Sequence, residues 1–270
     1  MDLSNEIDVF FAYEKDSSKI INKCKLTLSF VTYFREGRGP YLVPEINYKL
    51  ILPKTQKKLQ LFIENEDESV QDETENTKFK SESDSSNDEN DITAGLRYAI
   101  ERSGIDFSFD TGVLVNIPMV VFSKFRIKKD ITYTEWILRI REEVKWVNDE
   151  GFSSNLDLDF DKRLTRKLVF RWVNNFFWND EDYILRFENG PSLFQKINKK
   201  SALSYHAHVI TLNEPNFNVV NYITQISYRQ LIYKSWLYFQ FTPFINFPRE
   251  RNFHRTPGLI VSFDAVFGHL

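Results

Sequence analysis

Histidine is the first residue type to examine for chemistry, because a neutral imidazole binds metals and transfers protons near neutral pH. The sequence has four histidines, at His206, His208, His254 and His269. The stretch YHAHV places His206 and His208 two residues apart, on one face of a strand. That spacing is compatible with metal binding, but a site needs one or two further ligands and none is identifiable. We therefore expect two polar side chains on a common face and no metal site.

Motifs for catalysis are missing elsewhere in the sequence. It contains no G-x-S-x-G elbow, H-E-x-x-H helix, phosphate-binding loop or dinucleotide fingerprint. The single Cys24 excludes a disulfide framework within one chain. The stretch FPRERNFHR, residues 247–255, is basic and aromatic, but a net charge of -3 and its place between two strands favour a surface loop over a nucleic-acid site. We predict that the protein is not an enzyme and takes no cofactor.

Charged residues at every second position are the strongest chemical pattern. In NLDLDFD, aspartates alternate with leucine and phenylalanine, and in WILRIREEV arginines alternate with leucine and isoleucine. Opposite charges on neighbouring strands attract, so these segments are predicted to pair. The sequence thus predicts one charged face with a network of nine residues: Asp106, Asp110, Lys124, Arg126, Arg139, Arg141, Asp157, Asp159 and Arg171.

The elements that carry this pattern are predicted to be β-strands. From Cys24 onward, segments of about eight to twelve residues alternate apolar and polar, separated by clusters of Gly, Asn, Asp, Lys or Pro. Three such segments precede residue 64 and eleven follow residue 91, giving about fourteen strands, with twelve as the alternative. Short connections make consecutive strands antiparallel, and closing the sheet removes its edges. The predicted fold is an all-β, antiparallel, up-and-down barrel.

Alternation alone does not say which face points inward, since a soluble barrel or sandwich would bury its apolar face and bind an apolar ligand. Fourteen strands, however, enclose a bore too wide for side chains to fill. Trp136 and Trp146 share one face of a strand and lie about 25 Å apart along a tilted barrel axis, the height of a lipid-facing band. We predict a transmembrane barrel with a polar lumen, an apolar outer face and aromatic girdles at Trp136, Trp146, Trp178 and Trp236.

Glu142 does not fit this orientation, because it shares the predicted lipid-facing side of its strand with Leu138 and Val144. A carboxylate facing lipid is unfavourable. We expect a β-bulge, protonation or a contact with another protein at this position.

Residues 64–91 hold 12 acidic and 2 basic residues and are predicted to be a flexible acidic loop within a barrel of residues 23–270. Residues 1–22 are predicted to form an N-terminal periplasmic segment. The stretch MDLSNEIDVFFAYEKDSSK has no basic region followed by an apolar one, so no secretory signal can be read from it.

The last strand, TPGLIVSFDAVF, has apolar residues at alternate positions and ends on Phe267, as in the C-terminal assembly signal of bacterial outer-membrane proteins. Three residues follow Phe267, which departs from that signal. With WLYFQFTPFINFPRERNFHRTPG, WVNDEGFSSNLDLDFDKRL and LILPKTQKKLQLFIEN, the chain resembles a group of uncharacterised proteobacterial outer-membrane β-barrel proteins. The resemblance implies location in the outer membrane of a Gram-negative bacterium and implies no activity.

The function expected from these features is that of an integral outer-membrane barrel, either a pore for small solutes or a closed structural barrel. Its expected partners are outer-membrane lipid, lipopolysaccharide phosphates at the loop of residues 247–255, and the outer-membrane assembly machinery at the C-terminal strand. An even number of strands puts both termini at one end, predicted to be periplasmic.

Overall fold

The computed structural model describes residue 10 and residues 25–52, 58–65, 92–115, 119–180, 183–213 and 216–268. These ranges contain a 3-10 turn at Arg249–Arg251 and fourteen strands: β1 (Lys25–Arg35), β2 (Arg38–Ile51), β3 (Leu59–Asn65), β4 (Ile92–Arg102), β5 (Ile105–Leu114), β6 (Val120–Tyr133), β7 (Trp136–Val147), β8 (Gly151–Thr165), β9 (Leu168–Asn179), β10 (Leu185–Lys196), β11 (Ser201–Leu212), β12 (Asn218–Tyr233), β13 (Leu237–Pro248) and β14 (Thr256–Phe267). In the described part of the chain, no helix is both long enough and apolar enough to cross a bilayer.

The predicted strand count is confirmed, with three strands before the acidic segment and eleven after it. β3 continues through Glu64 and Asn65, so these first two residues of the predicted acidic loop belong to a strand. Residues 66–91 lie outside the described residues, as do residues 1–22 apart from Phe10.

The sheet closes on itself, and every strand pairs antiparallel with its neighbours in the chain. Closure is made by β1 and β14, which pair over ten positions from Leu26 opposite Phe267 to Arg35 opposite Gly258. Closure satisfies the backbone groups that an open edge would leave unpaired. The antiparallel path also sorts the connections onto two ends. The terminal end carries Lys25, Leu52, Lys58, Phe267 and the turns at 103–104, 134–135, 166–167, 197–200 and 234–236, and the loop end carries the turns at 36–37, 148–150 and 249–255.

Strand β8 shows which face points inward. Asp157, Asp159 and Asp161 are buried, whereas Phe160 between them is 41% exposed. Nothing in the described barrel covers the outer surface of the sheet, so buried residues are those that face the axis. The charged face therefore points inward and the apolar face outward, as predicted.

The interior is less uniformly polar than the sequence predicts. Toward the loop end, Phe62, Leu114, Phe122 and Val147 form one apolar cluster on the inner face. A second inner cluster there consists of Val31, Phe244 and Ile260, and a third lies at the terminal end and consists of Val169, Phe194 and Ala202. Charged side chains thus occupy the middle of the inner wall, with apolar clusters above and below.

One close approach of two strands depends on glycine. Gly95 of β4 and Gly112 of β5 lie directly opposite each other. A Cβ added at Gly112 would collide with the backbone carbonyl oxygen of Ala94, and one at Gly95 would meet the ring of Phe62 at 3.0 Å. The missing side chains make room for Phe62 in the inner wall.

Candidate functional site

A continuous row of charged side chains runs around the inner wall from β2 to β9, and we call it the ionic belt. Each member occupies an inward position of its strand because side chains alternate between the two faces. The ionic belt consists of Lys49, Glu64, Arg97, Asp110, Lys124, Arg126, Arg139, Arg141, Glu143, Asp157, Asp159, Asp161 and Arg171.

Asp110 is the centre of the first half of the ionic belt. Arg97 of β4 donates from Nε to Asp110 Oδ1 at 2.9 Å, and Arg126 of β6 donates to Asp110 Oδ2 from the other side. Arg97 also reaches Glu64 on β3, with 3.1 Å between Nη2 and Oε1. Arginine forms such links because its planar group donates hydrogen bonds in several directions at once. These side chains thereby join the three neighbouring ladders β3–β4, β4–β5 and β5–β6.

The second half of the ionic belt joins β7, β8 and β9. Arg141 Nη1 lies 3.1 Å from Asp159 Oδ2, and Arg139 Nε lies 3.0 Å from Asp161 Oδ2. Arg171 donates to Asp161 from Nε and Nη2, at 2.6 and 2.9 Å. Between the halves, Glu143 lies 3.2 Å from Arg126 Nε. The belt therefore consists of pairs of opposite charge in neighbouring strands.

Of the nine residues predicted for the charge network, eight are buried on the inner wall and belong to the ionic belt. Asp106 does not belong to it. It is only half-buried and lies opposite Glu101 and Lys128, close to the turn at 103–104. Its position close to this turn puts Asp106 near the rim of the barrel, because alternation along a strand determines the face of a residue and not its height in the barrel.

The nine-residue list omits several members of the ionic belt, among them Glu64, Arg97, Glu143 and Asp161, although the alternation in NLDLDFD puts Asp161 on the same predicted face as Asp157 and Asp159. A signal for two of them was present, since Glu143 shares the face of Arg139 and Arg141, and Asp161 shares the face of Asp159. Glu64 and Arg97 come from β3 and β4, where the alternating charges are sparse. Their pairing depends on the register between strands, which the sequence does not show.

A second polar group, the Ser192 cluster, lies on β10 and β11 and consists of Glu188, Ser192, His206 and His208. Ser192 Oγ lies 2.9 Å from His208 Nε2 and 2.8 Å from His206 Nδ1. His208 Nδ1 lies 2.9 Å from Glu188 Oε1. All four side chains are buried and face the interior. The two histidines thus share a hydroxyl, and within the described ranges no group of three metal-ligating side chains is assembled.

The Glu188 carboxylate determines the direction of the hydrogen bonds in this cluster. An ionised carboxylate only accepts, so His208 donates from Nδ1, and in the neutral imidazole Nε2 then carries the lone pair. Ser192 therefore donates its proton to His208 Nε2, and His206 donates from Nδ1 to the Ser192 oxygen. The result is a directed chain from His206 through Ser192 and His208 to Glu188.

Gly190 makes room for His208. A Cβ at this position would lie 2.8 Å from His208 Cα and 2.9 Å from its Cδ2, closer than side chains tolerate. Phe194, two residues beyond Ser192 on the same inner face, packs edge to face against the His206 ring with centroids 5.4 Å apart. Local packing therefore holds both imidazoles in place around Ser192.

The predicted girdle tryptophans lie at both ends of the barrel. Trp136 and Trp146 point outward from opposite ends of β7, and Trp178 lies near the loop end of β9. Trp236 belongs to the turn before β13 at the terminal end, where its ring stacks on Phe267 with centroids 5.2 Å apart.

Glu142 points outward without the predicted β-bulge. β7 keeps an unbroken register with β6 and β8 through Glu142, which excludes the bulge and leaves protonation or a contact with another protein of the three alternatives. Instead, Ser154 of β8 donates its hydroxyl to Glu142 Oε1 at 2.7 Å. A hydrogen bond from a neighbouring strand lowers the cost of a carboxylate on an apolar surface.

Phe10 contacts the inner wall at the terminal end. It packs against Val169, Phe194 and Ala202, and its ring meets that of Tyr238 edge to face with centroids 6.0 Å apart. Tyr238 belongs to β13, whereas the other three belong to β9, β10 and β11. One residue of the predicted periplasmic segment therefore lies inside the terminal end of the barrel, between strands that are not neighbours.

No protein-family model and no curated protein matches the chain. Solved structures do match it. A loop-deletion mutant of OmpT, an outer membrane protein of Vibrio cholerae, aligns with a TM-score of 0.51 and 7% identity, over 92% of this chain and 100% of that one. At this identity the likeness shows the barrel fold alone.

Two further barrels align with TM-scores too low to support an inference. They are OccK11 of Pseudomonas aeruginosa (0.47, 8% identity, 92% of this chain and 96% of that one) and the outer membrane channel DcaP of Acinetobacter baumannii (0.48, 5% identity, 90% and 96%).

Proposed function

We propose that the protein is an integral outer-membrane β-barrel that acts as a pore for small polar solutes and is closed in the conformation described. The observation that carries the proposal is the combination of a buried inner wall of acidic and basic side chains with an apolar outer wall. A soluble barrel would need the reverse arrangement, because its apolar side chains would form the core and its charges would meet water. The outward direction of Leu156, Leu158 and Phe160 therefore argues against a soluble binder of apolar ligands.

The charge of the ionic belt suggests weak ion selectivity. Its described members comprise seven basic and six acidic side chains, and each ion pair among them joins neighbouring strands. A ring of one sign would select strongly for the opposite ion, whereas a balanced ring does not. Small uncharged or weakly charged solutes suit such a lining.

The closed state is supported by burial and by Phe10. Asp159 is 0% exposed and Arg171 is 1% exposed, so water does not reach these inner charges in this conformation. Phe10 occupies the terminal end between β9 and β13. We propose that the Phe10 contact narrows the pore at this end.

Two surface features extend the proposal to partners. β14 presents Leu259, Val261, Phe263, Ala265 and Phe267 on the outer face, which suits recognition by the outer-membrane assembly machinery. At the loop end, the exposed side chains of Arg249, Arg251 and Arg255 suit lipopolysaccharide phosphates. On this proposal, the terminal end lies in the periplasm.

Membrane fractionation and single-channel recording test the proposal. The full chain should require detergent for extraction and shift its gel mobility on heating; recovery in the soluble fraction would overturn the membrane assignment. In planar bilayers, the wild type should open rarely, and Phe10→Ala should open more often or to a higher conductance. Phe160→Ala, on the outer face, is the matched control and should behave as wild type. A folded Phe10→Ala variant with wild-type conductance would contradict the role of Phe10.

A further inference from the structure

We propose that Ser192 is an activated nucleophile, with His208 as its general base and Glu188 as the positioning residue, and that it cleaves small carboxylic esters within the barrel. The inference goes beyond the proposed pore. It rests on the opening of that pore, because Ser192 is 1% exposed in the closed conformation and an ester and water reach it only when the barrel opens. It rests on three distances in the Ser192 cluster and on the direction of the hydrogen bonds that Glu188 imposes.

The geometry meets the requirements for serine activation. The nucleophile and base must lie within hydrogen-bond distance, and a third group must orient the base. Ser192 Oγ lies 2.9 Å from His208 Nε2, and His208 Nδ1 lies 2.9 Å from Glu188 Oε1. Because Glu188 accepts a hydrogen bond from Nδ1–H, the neutral His208 ring presents the Nε2 lone pair that removes a proton from Ser192. Such triads are recognised by geometry and can form on unrelated folds.

The surroundings suit a small acyl group. Phe194 and Val173 are buried, apolar and adjacent to the cluster on the inner wall. Arg171 lies opposite Ser192 in the ladder between β9 and β10, and its guanidinium group pairs with Asp161 of β8.

The reaction balances with water as the co-reactant. Ser192 Oγ forms a bond to the acyl carbon, its proton passes to His208 Nε2, and the bond to the leaving alkoxide breaks as that oxygen takes the proton. Water then attacks the acyl-Ser192 ester and gives its proton to His208, which returns it to Ser192 Oγ. The products are a carboxylic acid and an alcohol.

Other buried serines provide an internal control. Ser204 also faces the interior, on β11, and is 0% exposed, but its Oγ has no hydrogen-bond partner among the described residues. Ser204 and Ser192 therefore share burial and location and differ in the histidine and carboxylate. Selective reaction at Ser192 would reflect activation rather than access.

The test uses phenylmethylsulfonyl fluoride on the folded full chain in detergent, followed by intact mass and peptide mapping. We expect one adduct per chain, at Ser192, formed as Oγ bonds to sulfur and fluoride leaves. His208→Gln should lower the rate about 100-fold or more, the size of a general-base contribution. Heat-dependent gel mobility identifies the folded fraction of each variant.

To test the role of Glu188, the labelling rate must be measured in folded protein, so that an effect on the reaction is distinguished from unfolding of the variant. In folded protein, Glu188→Gln should lower the labelling rate, because an amide can donate to Nδ1 and shift the proton of His208 to Nε2. Glu188→Asp should restore part of that rate. Hydrolysis of p-nitrophenyl acetate should be lost in Ser192→Ala and retained in Ser204→Ala. No adduct on folded wild type, or equal rates at Ser192 and Ser204, would overturn the proposal.

Discussion

Arg171 and Asp161 form a two-point ion pair across the ladder between β8 and β9, with Nε to Oδ1 at 2.6 Å and Nη2 to Oδ2 at 2.9 Å. Both side chains are about 1% exposed. Arg171 also lies over the ring of Phe194, with 5.2 Å between Cζ and the ring centroid. The pair links the ionic belt to the apolar cluster at the terminal end.

Breaking this pair on one side should destabilise the barrel strongly. Arg171→Met leaves the Asp161 carboxylate buried beside Arg139 alone, and removing one partner of a buried pair costs roughly 3–5 kcal/mol. The free energy of unfolding in detergent, from denaturant titration, measures the loss. Arg171→Met combined with Asp161→Leu should recover part of the stability, because the pair is then replaced by apolar groups. If the double variant loses more unfolding free energy than the two single variants lose together, the prediction is contradicted.

Replacing Glu142 should leave assembly unchanged or improve it. Glu142→Leu removes an outward carboxylate from the middle of β7 and places an apolar side chain between Leu138 and Val144. The folded fraction after refolding into vesicles, measured by heat-dependent gel mobility, checks this. Val144→Glu, on the same face of the same strand, is the matched control and should lower the folded fraction. A collapse of assembly in Glu142→Leu would contradict the lipid-facing assignment.

The girdle tryptophans should lie at the depth of the lipid headgroups. In variants that keep only Trp136 or only Trp146, fluorescence should be quenched most by lipids brominated near the headgroup. Ile140→Trp in a background without other tryptophans places the probe on the same face of β7, between the two. It should be quenched most by bromine deeper in the acyl chains. The same depth profile for all three positions would show that β7 does not span the bilayer.

Adding a methyl group at Gly112 should weaken the pairing of β4 and β5. Gly112→Ala forces a Cβ against the backbone carbonyl of Ala94, which cannot move without distorting the ladder. A cost of roughly 1–3 kcal/mol in unfolding free energy is expected for overpacking of this kind. Gly39→Ala is the control, since a Cβ at Gly39 meets nothing within 4 Å. Equal stability of the two variants would contradict the close-approach explanation.

An exposed ion pair at the terminal end should give a small, salt-sensitive pH dependence. A hydrogen bond and the charge of Lys162 lower the pKa of the Glu135 carboxyl below its usual value of 4.5, with 2.9 Å between Lys162 Nζ and Glu135 Oε2. A lowered pKa in the folded state adds stability above the unfolded pKa, and this is lost as pH falls through the folded value. Carboxyl-detected NMR titration should show the pKa of Glu135 rising in Lys162→Met and in high salt. An unchanged pKa in Lys162→Met would contradict the pair.

Much of the fold and the charge distribution could be predicted from strand alternation. The strand count and the side of the sheet on which Asp157, Asp159 and Arg171 lie follow from a two-residue repeat, which is a local property of an extended backbone. The position of Asp106 at the rim and the contact of Arg97 with Glu64 could not be predicted, because both depend on the register between strands.

The Ser192 cluster shows the limit of sequence reasoning most clearly. The sequence determined that His206 and His208 share a face, because they are two residues apart in a strand. Only the tertiary structure brought Ser192 and Glu188 of β10 to them, because cross-strand contacts depend on ladder register and on the space left at Gly190. Likewise, composition and alternation determined a barrel with a charged face, but contacts such as that of Phe10 with β9 and β13 arise only when distant parts of the chain meet in the closed barrel.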